Sequence, residues 1–500
     1  MLEVCKQLFT QWNDSGVGYC HWKSNEHLME GLDGETDLDV FVRPSDKSLA
    51  ESLLSQTGYI ECITQKEHRY PNVFEWIGFD SGTGHLVHVH LHYQIITGTK
   101  YCKEYIFPCD DLIISTRVVD PDTNVYITDP NLEIIILYCR IALKSSNKKH
   151  IKPDKSSIRE IDYLRPRIDK DKVLLYCKQQ IKGLGEGLFQ LIIKEELDEA
   201  GWYRVYKMAE KWLRPYRKYS KIHVFLRFNY YKTRNIFILV ANRKLGRCII
   251  NRKTFPTCNL SICLLGQDGS GKSTVTKELE KWLNWKIEAH RFYLGSGDHY
   301  NGLLKRFLSK AVKIKHRNDV KKTDASDQTI YPKINKKKKK NIKNFFTAIL
   351  VSKNHLNVAR RAYKEVKKAE KYRQHGGIPL FDRFPQTQFD GIYDGPKIRS
   401  YYIETGLNFA LVRLMAKREQ MCVEKIQHYQ PALVFKLLLS PEESIHRKPF
   451  ENLMNVSRKH EITKQLQFPK SKVIIIDAEQ DYEKEILFIK NEIWNMIQGK

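Results

Sequence analysis

The stretch ICLLGQDGSGKST, residues 262–274, decides the fold of the half-chain that carries it. The apolar run LSICLL, 260–265, has the length and composition of a buried strand. STVTKELEKWL, 273–283, sets Val275, Leu279 and Trp282 on one face of a helix. Between them, Gly266-Gln267-Asp268-Gly269-Ser270-Gly271-Lys272-Ser273 matches G-x-x-x-x-G-K-[ST] in full. The glycines let the backbone turn tightly, so that successive N–H groups converge on phosphate oxygens. Lys272 adds a mobile charge for the outer phosphates, Ser273 offers a hydroxyl ligand for Mg²⁺, and the helix start adds its positive end. The pattern predicts a nucleotide-binding loop made of Gly266, Asp268, Gly269, Ser270, Gly271, Lys272, Ser273 and Thr274.

Outward from this loop, strand-like runs separated by helical patterns continue to the end of the chain, which predicts a parallel sheet with crossover helices. The 500 residues exceed one ordinary core. Residues 1–145 mix short strand-like runs with helical pieces and read as an α+β domain. Residues 146–256 read as a mostly helical connector, with LLYCKQQIKGLGEGLFQLIIKEEL, 174–197, at helical spacing. The polar, basic stretch KSSNKKHIKPDKSS, 144–157, reads as a linker or exposed loop. Residues 257–500 form the phosphate-loop domain. The expected fold class is α/β: a P-loop parallel sheet with flanking helices, preceded by an α+β domain and a helical connector.

The net charge of +26 predicts attraction to polyanions such as nucleotides, nucleic acid or an anionic membrane surface, without choosing among them. Five consecutive lysines, Lys336–Lys340, read as a solvated insertion. The eleven cysteines include no Cys-x-x-Cys pair, which argues against a zinc site or disulfide framework. No apolar run reaches the roughly 18 residues needed to span a bilayer, and the start lacks a signal-peptide layout. A reducing cytoplasm is the expected location.

GQDGSGKST resembles the phosphate loop of the thymidylate kinases, G-x-D-G-x-G-K-S-T. AYKEVKKAEKYRQHGGIPLFDRF, 362–384, is similar to that family's helix, strand and Asp-Arg-aromatic motif. VFKLLLSPEESIHRK, 434–448, and KVIIIDAEQDYEKEILFIKNEIW, 472–494, resemble its later strands and helices. The resemblance covers roughly 257–500 and implies ATP and Mg²⁺ as cofactors, with a nucleoside monophosphate or another phosphate acceptor as partner. It places Asp268 near the acceptor's sugar, Arg383 on the acceptor phosphate and Asp382 on the magnesium side. FPQTQFDGIYDGP, 384–396, departs from the family's usual stretch near the base, and an insertion at about 296–355 also departs. After the SPEE turn, Arg447, Lys448, Arg458 and Lys459 are lid candidates, Arg458 first.

The second motif is GLDGETDLDVFV, 31–42. Asp37 and Asp39, two apart on a strand, project from one face, a spacing that can hold Mg²⁺ ions in phosphate displacement. With YCHWKSNEHL upstream, the segment resembles uncharacterised nucleotidyltransferase-like families. Those families add a third carboxylate on a later strand. Here LVHVHLHYQII, 86–96, sets His88, His90 and His92 on one face, with His90 at that place. Imidazole binds metal but favours transition ions over magnesium. Histidines packed on a strand are the plain alternative.

These residues predict a nucleoside monophosphate kinase. Two other readings fit: a nucleotidyltransferase acting through Asp37 and Asp39, and an ATP-binding switch or scaffold whose basic surface holds nucleic acid or an acidic partner.

Overall fold

The computed structural model describes residues 1–145, 147–148, 150–181, 184–244, 246–256, 258–295, 342–449 and 453–499. The Lys336–Lys340 run and positions 296–341 of the expected insertion lie outside them. The chain divides into two compact units, Met1–Thr257 with Lys490–Lys500, and Cys258–Ile489.

The first unit is built on β1 (Tyr19–His21), β2 (Asp37–Val42), β3 (Ile60–Cys62), β4 (Val73–Phe79), β5 (Leu86–His92), β6 (Ile96–Thr97), β7 (Tyr105–Ile106), β8 (Val118–Val119) and β9 (Tyr126–Ile127). Seven of these make one mixed sheet in the order β3-β4-β5-β2-β1-β9-β8, and β6 pairs with β7. The Asp-x-Asp strand β2 lies parallel to the histidine strand β5, with Asp37 opposite His88 and Asp39 opposite His90. Helices Glu3–Asp14 and Lys47–Gln56 contribute Leu8, Trp12 and Leu54 to an apolar core shared with Leu38 and Val40 of β2.

A second core surrounds the helix Pro130–Lys144, whose sequence EIIILYCRIAL is apolar on every side. Such a helix has to be covered all round. Its Asp129 side chain caps it by accepting from the Asn131 N–H. The cover continues through Ile161, Leu188, Trp202 and Leu213, so the expected division at 145 falls inside one core. Ile151, in the stretch expected as a linker, is buried there too. The helix expected over 174–197 is interrupted: Lys170–Leu175 runs into a π-turn at Tyr176–Gln180, and a new helix starts at Gly185, which sits at φ +67°. Glycine tolerates that left-handed conformation and so permits the break.

The second unit carries β10 (Ile262–Gly266), β11 (Ala289–Tyr293), β12 (Ile378–Asp382), β13 (Leu433–Leu438) and β14 (Lys472–Asp477). They form a five-stranded sheet in the order β11-β12-β10-β13-β14, with every neighbouring pair parallel. Its class is α/β, a parallel sheet between helices. The chain leaves β10 to one side and returns to the other, so the carboxyl end of β10 is a topological switch point, where α/β sheets bind ligands. The phosphate loop follows β10 directly. All eleven cysteines are free. Among the described residues, no helix is long and apolar enough to cross a membrane.

Candidate functional site

The loop after β10 owes its shape to its glycines. Gly269 and Gly271 sit at φ +92° and +83°. A Cβ on Gly266 would come within 2.6 Å of the Leu437 carbonyl on the neighbouring strand. Helix Lys272–Leu283 begins where the loop ends. Lys272 folds back, its Nζ donating to the Gln267 carbonyl at 2.6 Å. Burial, with Arg383 close by, pushes its pKa down to about 8. The Ser273 hydroxyl donates to Asp382 Oδ2 at 2.9 Å. Asp382, at the carboxyl end of β12, is 1% exposed, and its other oxygen, Oδ1, is buried without a hydrogen-bond partner. A buried carboxylate oxygen left open beside a serine hydroxyl suits a hard divalent cation such as Mg²⁺.

Next to the loop lies a cavity of ≈ 280 Å³. Lys272, Arg383, Lys397 and Lys459 line it, with Asp268 and Asp394 as the acidic counterparts. Asp268 is the hub. It accepts from Arg383 Nη2 at 3.3 Å and from Lys459 Nζ. Burial works against its charge, but Lys459, then Lys272 and Arg383, outweigh that and bring its pKa down to about 2. Arg383 Nη1 also lies 3.7 Å from Asp394 Oδ2.

Three residues without glycine's freedom hold positive φ around this cavity: Arg383 at +73°, Tyr393 at +54° and Asp394 at +60°. Each such conformation costs about 1–3 kcal/mol and persists only where the surroundings enforce it. Gln386 is one enforcer. Fully buried, it donates to the Phe389 and Ile392 carbonyls at 2.8 and 2.9 Å and accepts from the Phe389 N–H at 2.7 Å. Thr463 hydrogen-bonds the Tyr393 hydroxyl at 3.0 Å. The stretch 384–396, read only as a departure from a family pattern, thus builds one wall of the site.

The structure separates the lid candidates. Arg458 is exposed and does not line the cavity, whereas Lys459, on the same helix Leu453–Gln465, binds Asp268. Each helical residue turns about 100° from the last, so only one of two adjacent basic residues points inward. Arg447 pairs with Glu443 at 2.7 Å. That helix is anchored from the sheet: buried Lys436 of β13 donates to the carbonyls of Lys464 and Leu466 at 2.9 and 2.6 Å. No signal in the sequence marked Lys397, Tyr393 or Asp394.

In the first unit, Asp37 and Asp39 face the histidines as expected. His88 is fully buried, with Nδ1 2.7 Å from Asp37 Oδ1 and Nε2 2.7 Å from Glu75 Oε2. His90 lies 3.3 Å from Asp39 Oδ1 and 2.9 Å from Glu75 Oε2. Burial opposes a charge on His90, but Glu75 and Asp39 outweigh it and push its pKa up to about 10. Lys23 Nζ pairs with Asp39 Oδ2 at 2.7 Å. His92 Nε2 lies 3.4 Å from Asp39 Oδ1 without hydrogen-bond alignment, so both its ring nitrogens are buried without a hydrogen-bond partner. Asp39, His90 and His92 edge a cavity of ≈ 180 Å³ whose cations are Lys23, Lys103, Arg140 and Lys144. Glu75 on β4, the residue that joins the two clusters, escaped sequence reasoning because the β4–β5 pairing brings it opposite His90.

Comparison with known proteins adds relatives over about half of the chain. The "Uncharacterized ATP-binding protein YghR" of Escherichia coli strain K12 is 26% identical over 244 residues, 47% of this chain and 88% of its own length. The "Uncharacterized ATP-binding protein YghS" of the same strain is 28% identical over 223 residues, 43% of this chain and 85% of its own. No protein-family model matches. Among solved structures, deoxyadenosine kinase from M. mycoides with bound dATP is 15% identical, over 47% of this chain and 99% of its own, with a TM-score of 0.28.

Proposed function

We propose that this chain is an ATP-dependent phosphotransferase of the nucleotide-kinase type, passing the γ-phosphate of ATP to a nucleoside monophosphate, as the thymidylate kinases do. One observation carries the reading: the phosphate loop at the switch point opens onto a cavity with cations beyond those needed for the donor, Arg383 and Lys459, both held by Asp268. The ATP-binding proteins among its relatives agree with the donor side.

In this reading Lys272 leaves the Gln267 carbonyl to meet the outer phosphates of ATP. Arg383 turns from the carboxylates to the acceptor phosphate, where a planar fork bonds two oxygens at once. Lys459 closes over the transferring group in the role first expected of Arg458. Asp268 positions the two cations and the acceptor's sugar. Ser273 and Asp382 would hold Mg²⁺, which supplies charge neutralisation on the phosphates when bound.

The test is ADP release from Mg-ATP against a panel of nucleoside monophosphates and nucleosides, for the wild-type protein and Lys272→Ala. Turnover that needs one monophosphate and disappears in the variant supports the reading. Turnover with a nucleoside in place of the monophosphate moves the acceptor class. No acceptor-dependent release despite ATP binding sinks it.

A second reading concerns the first unit, and His92, buried beside Asp39 with neither ring nitrogen in an aligned hydrogen bond, favours it. Asp39, His90 and His92 offer ligand atoms within 4.8 Å of one another. In the other cluster, His88 has both nitrogens engaged; His90, shared by the two, would have to give up its proton and its Glu75 contact to bind an ion. A nucleotidyltransferase-like site at Asp39 would therefore take a transition ion, with the phosphates of its substrate on Lys103 and Arg140. Loss of nucleotide transfer in Asp39→Asn, with Lys272→Ala unaffected, supports this reading. An unchanged rate in Asp39→Asn overturns it.

A further inference from the structure

The helix Lys221–Lys244 in the first unit turns an apolar face to solvent. Ile222, Phe225, Leu226 and Tyr230 are 62–74% exposed, and Ile236 and Phe237 are 55 and 57% exposed. Their spacing at three, four and seven residues makes a stripe along one side of a helix about 36 Å long. Exposed Asn229 and Thr233 sit among them on the same face, yet soluble proteins rarely leave so many large apolar side chains uncovered along one helix.

The opposite side of the helix fixes which face points out. Val224, Ile238 and Ala241 are buried. Arg227 Nε donates to the Tyr101 carbonyl at 2.9 Å, Asn235 Nδ2 donates to the Tyr101 hydroxyl at 3.1 Å, and Arg234 pairs with Glu67. The helix is thus pinned to its unit, and the apolar stripe is what remains.

Charge identifies the occupant. The helix contains Lys and Arg but no Asp or Glu, and the sequence holds no acidic residue from Lys211 through Gln267. Lys218, Lys232, Arg243, Lys244 and Arg247 are exposed along and beside the stripe. A second copy of the chain would set these cations against themselves. An anionic bilayer offers acyl chains to the stripe and phosphate headgroups to the cations. The helix is not apolar enough to cross the bilayer, so it lies in the interface plane.

We propose that Lys221–Lys244 is an interfacial helix that docks the protein on anionic lipid membranes. This does not depend on the phosphotransferase reading. The test is co-sedimentation of the full chain with vesicles of phosphatidylcholine alone and of equal parts phosphatidylcholine and phosphatidylglycerol, with sedimentation velocity alongside. The wild type and Lys272→Ala are expected to pellet with the anionic vesicles and remain in solution with the neutral ones. Phe225→Glu with Phe237→Glu should abolish pelleting. Arg243→Gln with Lys244→Gln should weaken it, about fivefold per cation removed. Thermal melting of each variant checks the fold, which these exposed positions should leave intact. Equal pelleting of wild type and the Phe225/Phe237 variant overturns the proposal. So does a wild-type protein that ignores anionic vesicles, or a dimer that the same variant dissociates, which would give the stripe to a second copy.

Discussion

The two units each gather carboxylates and cations at the end of a strand, but they treat those charges differently. In the second unit Asp382 keeps a buried oxygen without a partner, and Lys272, Arg383 and Lys459 converge on an open cavity. In the first, Asp37, His88 and Glu75 form a chain of hydrogen bonds around the fully buried His88, and Glu75 borders the same open space as Asp39, His90 and His92. The first unit extends this habit into its interior. Glu133 is fully buried, accepting from Asn25 Nδ2 at 2.7 Å, while the nearby Glu160 pairs with Arg140 at 3.0 Å. Polar groups satisfied by one another in the interior fix the packing of a fold, whereas groups left facing a cavity are arranged for a ligand.

The sharpest way to break this contrast is Lys272→Ala. It is expected to cut ATP turnover by at least about a hundredfold, the scale for removing one preorganised charge from a transition state. Turnover that survives would move catalysis to the first unit. Asp382→Asn comes next. Acceptor-dependent turnover should need about 10- to 100-fold more Mg²⁺ to reach half its maximum, while nucleotide binding in a chelator stays as in wild type.

Asp268→Asn releases Arg383 and Lys459. The expected result is a rise of about tenfold in the acceptor's KM, equivalent to about 1.4 kcal/mol, with a smaller change in kcat. A change in the KM for ATP alone would relocate Asp268 to the donor side.

The smallest effect tests the interior of the first unit by pH. Burial, with Glu160 close by, raises the Glu133 carboxyl from its ordinary 4.5 to about 8. Between those values the folded state holds a proton that the unfolded state has released, so stability falls as pH rises through that window. Glu133→Gln cannot lose that proton. Above about pH 8 the variant should therefore be more stable than wild type, by on the order of 1 kcal/mol, in denaturant titrations across pH. A wild-type stability that rises with pH there would contradict a neutral Glu133.

By itself, the sequence determined the local chemistry. The order strand, Gly266–Ser273, helix follows from backbone rules that act over a dozen residues, and so does the pairing of Asp37 with Asp39 on one strand face. The α/β alternation after residue 257 was legible for the same reason, since helical and strand periods are local properties. What only the tertiary structure decided is which distant residues meet. Sheet order placed Asp382 on Ser273, 109 positions away, and β4–β5 register brought Glu75 to His90. The phase of a single helix chose Lys459 over Arg458. The wall made by Tyr393 and Asp394 depends on positive φ angles; aspartate tolerates that conformation, but at Tyr393 the surrounding packing and the Gln386 hydrogen bonds have to set it. The exposed stripe on Lys221–Lys244 belongs to the same class. Composition shows an apolar, acid-free helix, but burial of Val224, Ile238 and Ala241 decides which side is left outside.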